Sequence, residues 1–257
     1  MKKIFNIILV SSFILTFASC EMFKIDNYDG PNAGVKGIIK DSATGEPIQT
    51  DIQNGTAIRV YELGWNDPPT VTSTWVVKQS GEYENKMIFA SRYNIDIVNG
   101  NVFPLDIPNV EFKKGDNTFD ITATPYIRVK NPSIVRNGNE IVATFSLEAG
   151  QSDVKLSAIR LYAHSDIYVG EQVKYDTQSY VDAEGKTVTY TDDKKTFSPA
   201  QSIDGTVYTL KLDVSKFRGS FKYTRNYYFR IGVLANLSGV GTIRHNYSPY
   251  EVIHMSF

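Results

Sequence analysis

The sequence has few of the residues on which many enzymes and metal proteins depend. It contains one cysteine and three histidines among 257 residues. A single cysteine excludes a disulfide within the chain and any cysteine-rich metal site. Lys+Arg 27 against Asp+Glu 28 gives a net charge of -1, whereas nucleic-acid-binding proteins usually carry a basic excess. The sequence therefore predicts no nucleic-acid partner.

Sequence motifs for catalysis are also missing. There is no G-x-S-x-G elbow and no glycine-rich phosphate loop. His164, His245 and His254 are too far apart for a local metal motif, and no pair of carboxylates stands out as a glycosidase would require. Asp192 and Asp193 precede two lysines, which predicts a solvated charge cluster. We predict no catalytic residue, no metal site and no cofactor, so that the chain is not an enzyme.

The first residues have the layout of a secretory signal peptide. Two lysines precede an apolar stretch over 4–17, which ends in small residues. This stretch is shorter than the roughly 20 apolar residues of a spanning helix. Residues 17–20 resemble a bacterial lipobox, in which the cysteine is lipidated after cleavage. We predict a signal peptide over 1–19, then lipidated Cys20 and a flexible tether over 20–33.

The remaining chain reads as strands. Apolar and polar residues alternate over 57–63, 140–147 and 207–212. No stretch of this length has the apolar stripe of a helix, and turn signals recur every ten to twenty residues. This rhythm is typical of antiparallel β-sandwiches. The predicted fold class is all-β, with two antiparallel β-sandwich domains over 34–126 and 127–257.

Two segments carry resemblances to known domains. Val35-x-Gly37-x-Ile39-x-Asp41, together with 44–48 and Gly81-x-Tyr83, is similar to the carboxypeptidase regulatory-like or transthyretin-like domain, a sandwich module without catalysis. The alternating run over 227–235 resembles the F strand of fibronectin type III domains, where Tyr227 would form a tyrosine corner. The sequence also predicts a long polar hairpin over 173–191, which a plain fibronectin type III domain lacks.

The whole chain after the signal resembles a family of two-domain Bacteroidetes lipoproteins of unassigned function. The segments that carry this resemblance are 60–62, 65–70, 77–81 and 101–104. Members resemble accessory proteins of starch-utilisation-type outer-membrane uptake systems. The resemblance implies a glycan-related role and an outer-membrane transporter complex as a partner. It also implies a lipid-anchored location at the outer membrane, on the cell surface or, alternatively, on the periplasmic face.

Exposed aromatic rings are the best candidates for a ligand site, because flat rings suit the apolar faces of sugars. Trp65 follows Gly64 and precedes a proline-rich loop, and Phe103 could join it if their loops are neighbours. A second candidate group lies beside the polar hairpin and consists of Tyr168, Tyr175, Tyr180 and Tyr190. Trp75, in phase with Val77, is instead predicted to belong to the core.

These observations predict a non-catalytic protein that binds a poly- or oligosaccharide. The alternative is a structural or protein-interaction subunit, a scaffold or adhesin that docks on a membrane complex. An exposed aromatic platform would favour glycan binding. A broad apolar patch or a free strand edge would favour a protein partner.

Overall fold

The computed structural model describes residues 30–256, and it confirms an all-β chain with two sandwich domains. The predicted signal peptide, Cys20 and nearly all of the predicted tether lie outside the described residues. Within 30–256, no helix is long and apolar enough to cross a membrane.

The N-terminal domain is a sandwich of two sheets. One sheet has the order β4-β1-β7, with β8 also paired to β1, and the other has the order β3-β2-β5-β6. The strands are β1 Ala33–Asp41, β2 Ala57–Glu62, β3 Ser73–Val76, β4 Glu82–Ile88, β5 Arg92–Ile97, β6 Leu105–Glu111, β7 Gly115–Thr118 and β8 Ile121–Ala123.

The C-terminal domain is a second sandwich with an added hairpin. Its sheets have the orders β15-β10-β9 and β14-β11-β16-β17, with β18 also paired to β16, and β12 pairs with β13 as the predicted hairpin. The strands are β9 Ile127–Asn137, β10 Glu140–Ala149, β11 Lys155–His164, β12 Ser179–Val181, β13 Thr187–Thr189, β14 Lys194–Ser202, β15 Tyr208–Asp213, β16 Arg225–Asn236, β17 Asn246–Tyr247 and β18 Glu251–Met255. A short 3-10 helix spans Val214–Phe217.

Each sandwich has its own core, built by the alternation seen in the sequence. In β10, alternate residues from Ile141 to Leu147 are buried, as expected for a strand with one face inward. Trp75 is 3% exposed, and its ring centroid lies 5.9 Å from that of Tyr83. The prediction that Trp75 belongs to the core is therefore confirmed.

Three strands without a clear sequence signal lie at sheet edges. They are β4, β6 and β14. Their polar and charged residues, and the prolines at positions 108 and 199, obscure the alternation. Charges and prolines are common on edge strands, where they discourage pairing with other chains. The residues that protect these edges also break the apolar–polar alternation by which a strand is predicted from sequence.

The predicted tyrosine corner is present. Tyr227 is fully buried at the start of β16, and its hydroxyl donates to the carbonyl oxygen of Tyr223 at 2.9 Å. The amide of Tyr223 in turn donates to the same hydroxyl at 3.3 Å. The corner ties the loop before β16 to the core.

We expect Tyr227→Phe to lower the free energy of unfolding by about 0.5–1.5 kcal/mol, because it removes the hydroxyl that bonds the amide and the carbonyl oxygen of Tyr223. Tyr168→Phe, at a residue 43% exposed, is the matched control and should change the free energy by less than about 0.5 kcal/mol. Urea denaturation of both variants measures the difference. Equal stability of the two variants would show that the corner contributes nothing.

A buried arginine joins the two domains. Arg230 of β16 is 0% exposed, although the strand alternation places it on the face away from the C-terminal core. Its guanidinium donates to the carbonyl oxygens of Thr50 at 2.9 Å, in the N-terminal domain, and of Ser248 at 2.8 Å. It also lies over the ring of Tyr247, 4.2 Å from the centroid. Burial lowers the pKa of Arg230 to about 10, so it remains a cation at neutral pH.

Asp51 of the N-terminal domain completes this contact. Its Oδ2 accepts from the Tyr247 hydroxyl at 2.8 Å and from the Glu171 amide at 2.9 Å. At the edge of the contact, Arg128 forms a two-point ion pair with Asp41, with Nη2 2.7 Å from Oδ1. Charged groups that are hydrogen-bonded across a buried surface tolerate little displacement, so the two sandwiches are held as one body.

Candidate functional site

The end of the N-terminal domain that lies away from this contact carries a cleft lined by aromatic and polar residues. Strand pairing brings three segments together there: Glu62 lies opposite Tyr93, and Arg92 lies opposite Glu111. The loops over 63–72, 89–91 and 112–114 therefore meet at one end, which we call the distal pole. The cleft between 62–65 and 89–91 has a volume of about 730 Å³.

Trp65 and Phe89 form the aromatic part of the cleft. Trp65 is 60% exposed and Phe89 is 36% exposed. Gly64 has φ +100, a conformation that other residues rarely adopt, and it turns the chain sharply after β2. This turn places Trp65 on the loop outside the sandwich.

The walls of the cleft are held by hydrogen bonds to the strands beneath. The Leu63 amide donates to the carbonyl oxygen of Arg92 at 2.9 Å, and the Phe112 amide donates to that of Ser91 at 2.9 Å. The Tyr93 hydroxyl donates to the Phe89 carbonyl oxygen at 2.8 Å. Burial, and next the charge of Glu62, raise the pKa of Tyr93 to about 12, so this donor keeps its proton at neutral pH.

Polar side chains surround the aromatic pair. Glu62 and Ser91 line the same cleft as Trp65. An adjoining hollow of about 810 Å³ shares Leu63, Gly64, Ala90 and Ser91 with it and is lined further by Arg92, Asn109, Glu111, Phe112, Lys113 and Lys114. Flat rings beside hydroxyl and carboxylate groups can stack on the C–H face of a pyranose and bond to its hydroxyls.

The other predicted aromatic of this domain lies elsewhere. Phe103 is at the opposite end of the N-terminal domain, where its ring packs 4.8 Å from that of Tyr126 at the junction with the second domain. The Gly150 region of the C-terminal domain also contacts it. The condition under which Phe103 could join Trp65 is not met, because the loop after β5 and the loop after β2 leave the sheet at opposite ends.

The four tyrosines beside the hairpin do not form a shared platform. Tyr190 is 4% exposed and packs edge-on against Phe217, with ring centroids 5.2 Å apart. Tyr175 packs on Phe221 at 5.1 Å, and Tyr180 is half-buried against Tyr190 at 6.4 Å. Only Tyr168 is exposed. The hairpin covers one side of the C-terminal core, and its tyrosines therefore point inward.

The acidic pair at 192–193 is also different from the prediction. Asp192 is exposed, but Asp193 is fully buried and accepts a hydrogen bond from the Thr177 hydroxyl. Burial raises the pKa of the Asp193 carboxyl, although Thr177 and Arg160 oppose the shift. The prediction of a solvated cluster holds for Asp192 and is wrong for Asp193, which belongs to the interior of the fold.

The three histidines lie in different environments. His254 is exposed on β18, as its alternation with Ile253 and Met255 predicts. His164 packs against Tyr175 and His245 packs against Tyr162. Across residues 30–256, no group of three or more His, Cys, Asp or Glu side chains is placed to hold a metal ion.

Comparison with known proteins gives the relatives of this fold. One is a "putative carbohydrate binding protein" from Bacteroides uniformis, 44% identical, with a TM-score of 0.79 over 88% of this chain and 100% of the other. Two structures of DUF3823 family proteins share the fold. One is from Parabacteroides merdae, with 20% identity and a TM-score of 0.64 over 88% of this chain and 100% of the other. The second is from Bacteroides ovatus, with 16% identity and a TM-score of 0.65 over 87% of this chain and 100% of the other. No curated protein matches the sequence.

Two family descriptions match, and together they cover both sandwiches. Residues 33–124 match the N-terminal domain of the DUF3823 proteins of unknown function, and residues 127–251 match the DUF3823 C-terminal domain of unknown function. The boundary between the two matches lies next to Tyr126, where the cores of the two sandwiches separate. The chain belongs to the DUF3823 family.

Proposed function

We propose that this chain is a non-catalytic carbohydrate-binding protein whose ligand site is the cleft of Trp65 and Phe89. The observation that carries the proposal is the pair of exposed rings set in a polar cleft at the distal pole. The name of the 44% identical Bacteroides uniformis relative supports the ligand class. The ligand is a poly- or oligosaccharide, and the protein presents it without altering it.

The proposal includes a lipid anchor at Cys20 and a position at the outer membrane, on the cell surface. The position of the cleft fits this arrangement. Asn32 is fixed at the distal pole, because its amide donates to the Ile88 carbonyl oxygen at 3.1 Å and its Oδ1 accepts from the Ala90 amide at 2.8 Å. The thirteen residues from Cys20 to Asn32 can span at most about 45 Å.

A tether of this reach allows the cleft to lie near the membrane that would hold the anchor, which supports the proposed arrangement. An accessory protein that passes a glycan to an uptake complex needs its ligand near the transporter mouth. The proposed partner is therefore an outer-membrane transporter complex, with the cleft facing the same side as the anchor.

The test is binding of the fragment from residue 30 onward to a polysaccharide panel. This fragment contains both cores and the cleft. We expect Trp65→Ala to weaken binding at least tenfold, because it removes the apolar contact area of the indole, which contributes about 25 cal/mol per Å² buried. Tyr168→Ala and Tyr223→Ala, at exposed tyrosines of the other domain, are the matched controls and should leave binding unchanged.

The controls decide between the possible sites. Loss of binding in Tyr168→Ala, with Trp65→Ala unaffected, would move the site to the C-terminal domain. Absence of binding to every glycan would contradict the proposal and favour the scaffold or adhesin role. Circular dichroism must show that each variant keeps its fold.

A further inference from the structure

The hollow next to the aromatic cleft is lined by three cations. Arg92, Lys113 and Lys114 are exposed and border the same space, with Glu111 and Asn109. The Lys113 amide donates to the Asn117 side chain at 3.0 Å, which fixes the turn that carries both lysines. The aromatic cleft and this basic hollow share a wall, so that one ligand can occupy both.

None of these three cations forms an ion pair in the part of the chain that the structure describes. Among residues 30–256, none of the three has a carboxylate oxygen within 4.0 Å, although Glu111 is the cross-strand partner of Arg92. By contrast, Lys40 and Arg59 of the same domain each pair with an aspartate, at 2.7 and 2.6 Å. Exposed cations grouped around a concavity attract anions, and arginine can bind a carboxylate through two hydrogen bonds.

Two acids limit what kind of anion fits. Glu62 lies in the aromatic cleft and Glu111 in the basic hollow, and neither forms an ion pair within the described chain. Their oxygens can accept hydrogen bonds from sugar hydroxyls, but they repel an extended anionic surface such as a lipid bilayer. The mixture suits a ligand with hydroxyls, an apolar face and a localised negative group.

We infer that the distal pole recognises an acidic saccharide. The sugar ring stacks on Trp65 or Phe89, while its carboxylate or sulfate group lies in the hollow of Arg92, Lys113 and Lys114. This inference rests on the proposed function and specifies its ligand class. Carboxylate and sulfate are the two sources of the anionic group, and separate ligands distinguish them.

The experiment compares acidic and neutral saccharides on the fragment from residue 30 onward. The probes are polygalacturonate and its methyl ester, alginate, chondroitin sulfate and its desulfated form, and neutral polysaccharides. Vesicles of phosphatidylcholine with phosphatidylglycerol are added as a separate ligand. We expect at least one acidic probe to bind tenfold or more tightly than its neutral counterpart, with affinity falling as NaCl is raised.

A charge variant and a matched control locate the effect. Lys113→Gln combined with Lys114→Gln should weaken binding of the acidic probe at least fivefold. Lys186→Gln combined with Lys222→Gln removes the same charge from exposed sites of the C-terminal domain and should leave affinity unchanged. Equal effects of the two double variants would overturn the inference, because they would indicate net charge rather than a site.

The remaining outcomes separate this inference from the function it specifies. Binding of neutral and acidic probes with equal affinity, lost in Trp65→Ala, would overturn the acidic specificity and leave carbohydrate binding standing. Binding to the vesicles without binding to any saccharide would overturn both and make the pole a membrane contact. Binding to none of the ligands would also overturn both.

Discussion

Arg230→Met is expected to lower the free energy of unfolding by about 2–3 kcal/mol, because buried hydrogen-bond acceptors that lose their donor cost about 1–3 kcal/mol. The side chain is 0% exposed, and its guanidinium donates to the carbonyl oxygens of Thr50 and Ser248. Methionine fills part of the volume but donates no hydrogen bond. These buried carbonyl groups would lose their donor, and Tyr247 would lose the cation over its ring.

The matched control is Arg136→Met. Arg136 is exposed on β9 and also donates to a carbonyl oxygen, that of Gly138, at 2.8 Å. A surface substitution of this kind should change stability by less than about 0.5 kcal/mol. Urea denaturation of both variants gives the comparison. A loss below about 1 kcal/mol in Arg230→Met would contradict the role assigned to the domain contact.

Gly150→Ala is expected to lower the free energy of unfolding by about 3 kcal/mol, the upper end of the usual range for overpacking. A Cβ atom at this position would lie 1.9 Å from the Pro125 carbonyl oxygen. That oxygen is backbone and cannot rotate away. The Gly150 amide also donates to the Tyr126 carbonyl oxygen at 2.8 Å, so the two segments cannot separate without losing this bond.

Gly219→Ala is the control for this substitution, because a Cβ atom there would meet nothing within 4 Å and its φ is not positive. We expect Gly219→Ala to be neutral or slightly stabilising. The midpoints of thermal unfolding measure both effects. Similar midpoints for the two variants would show that the segments around Pro125 and Gly150 can move apart at little cost.

The sequence predicts those parts of the fold in which one face of a strand is buried. Alternation identifies β2, β10, β15 and β16, and it distinguishes the core residue Trp75 from Trp65 on the loop. Alternation in β16 also puts Arg230 on the outer face, where a single sandwich would leave it in solvent. The N-terminal domain covers that face, and nothing local in the sequence indicates this.

The candidate site could be predicted only in part, because local sequence does not indicate which distant segments pack together. Gly64 and the prolines after Trp65 mark a loop, so exposure of Trp65 follows from local chemistry. Phe89 and the cations Arg92 and Lys113 come from segments distant in sequence, which the strand pairing of β2, β5 and β6 brings together. For the tyrosines of the hairpin the prediction failed in the other direction. Their polar neighbours in sequence suggest exposure, but they pack on Phe217 and Phe221.

The most direct test of the proposed site is the NMR spectrum of the two tryptophan indoles. The chain contains two tryptophans, and their environments differ: Trp65 is 60% exposed, while Trp75 is 3% exposed and its Nε1 donates to the Ser73 hydroxyl at 3.0 Å. Titration of the 15N-labelled fragment with a saccharide that binds it should shift the Trp65 indole signal and leave the Trp75 signal in place. Saturating saccharide that moves neither signal would contradict a ligand site at Trp65 and Phe89.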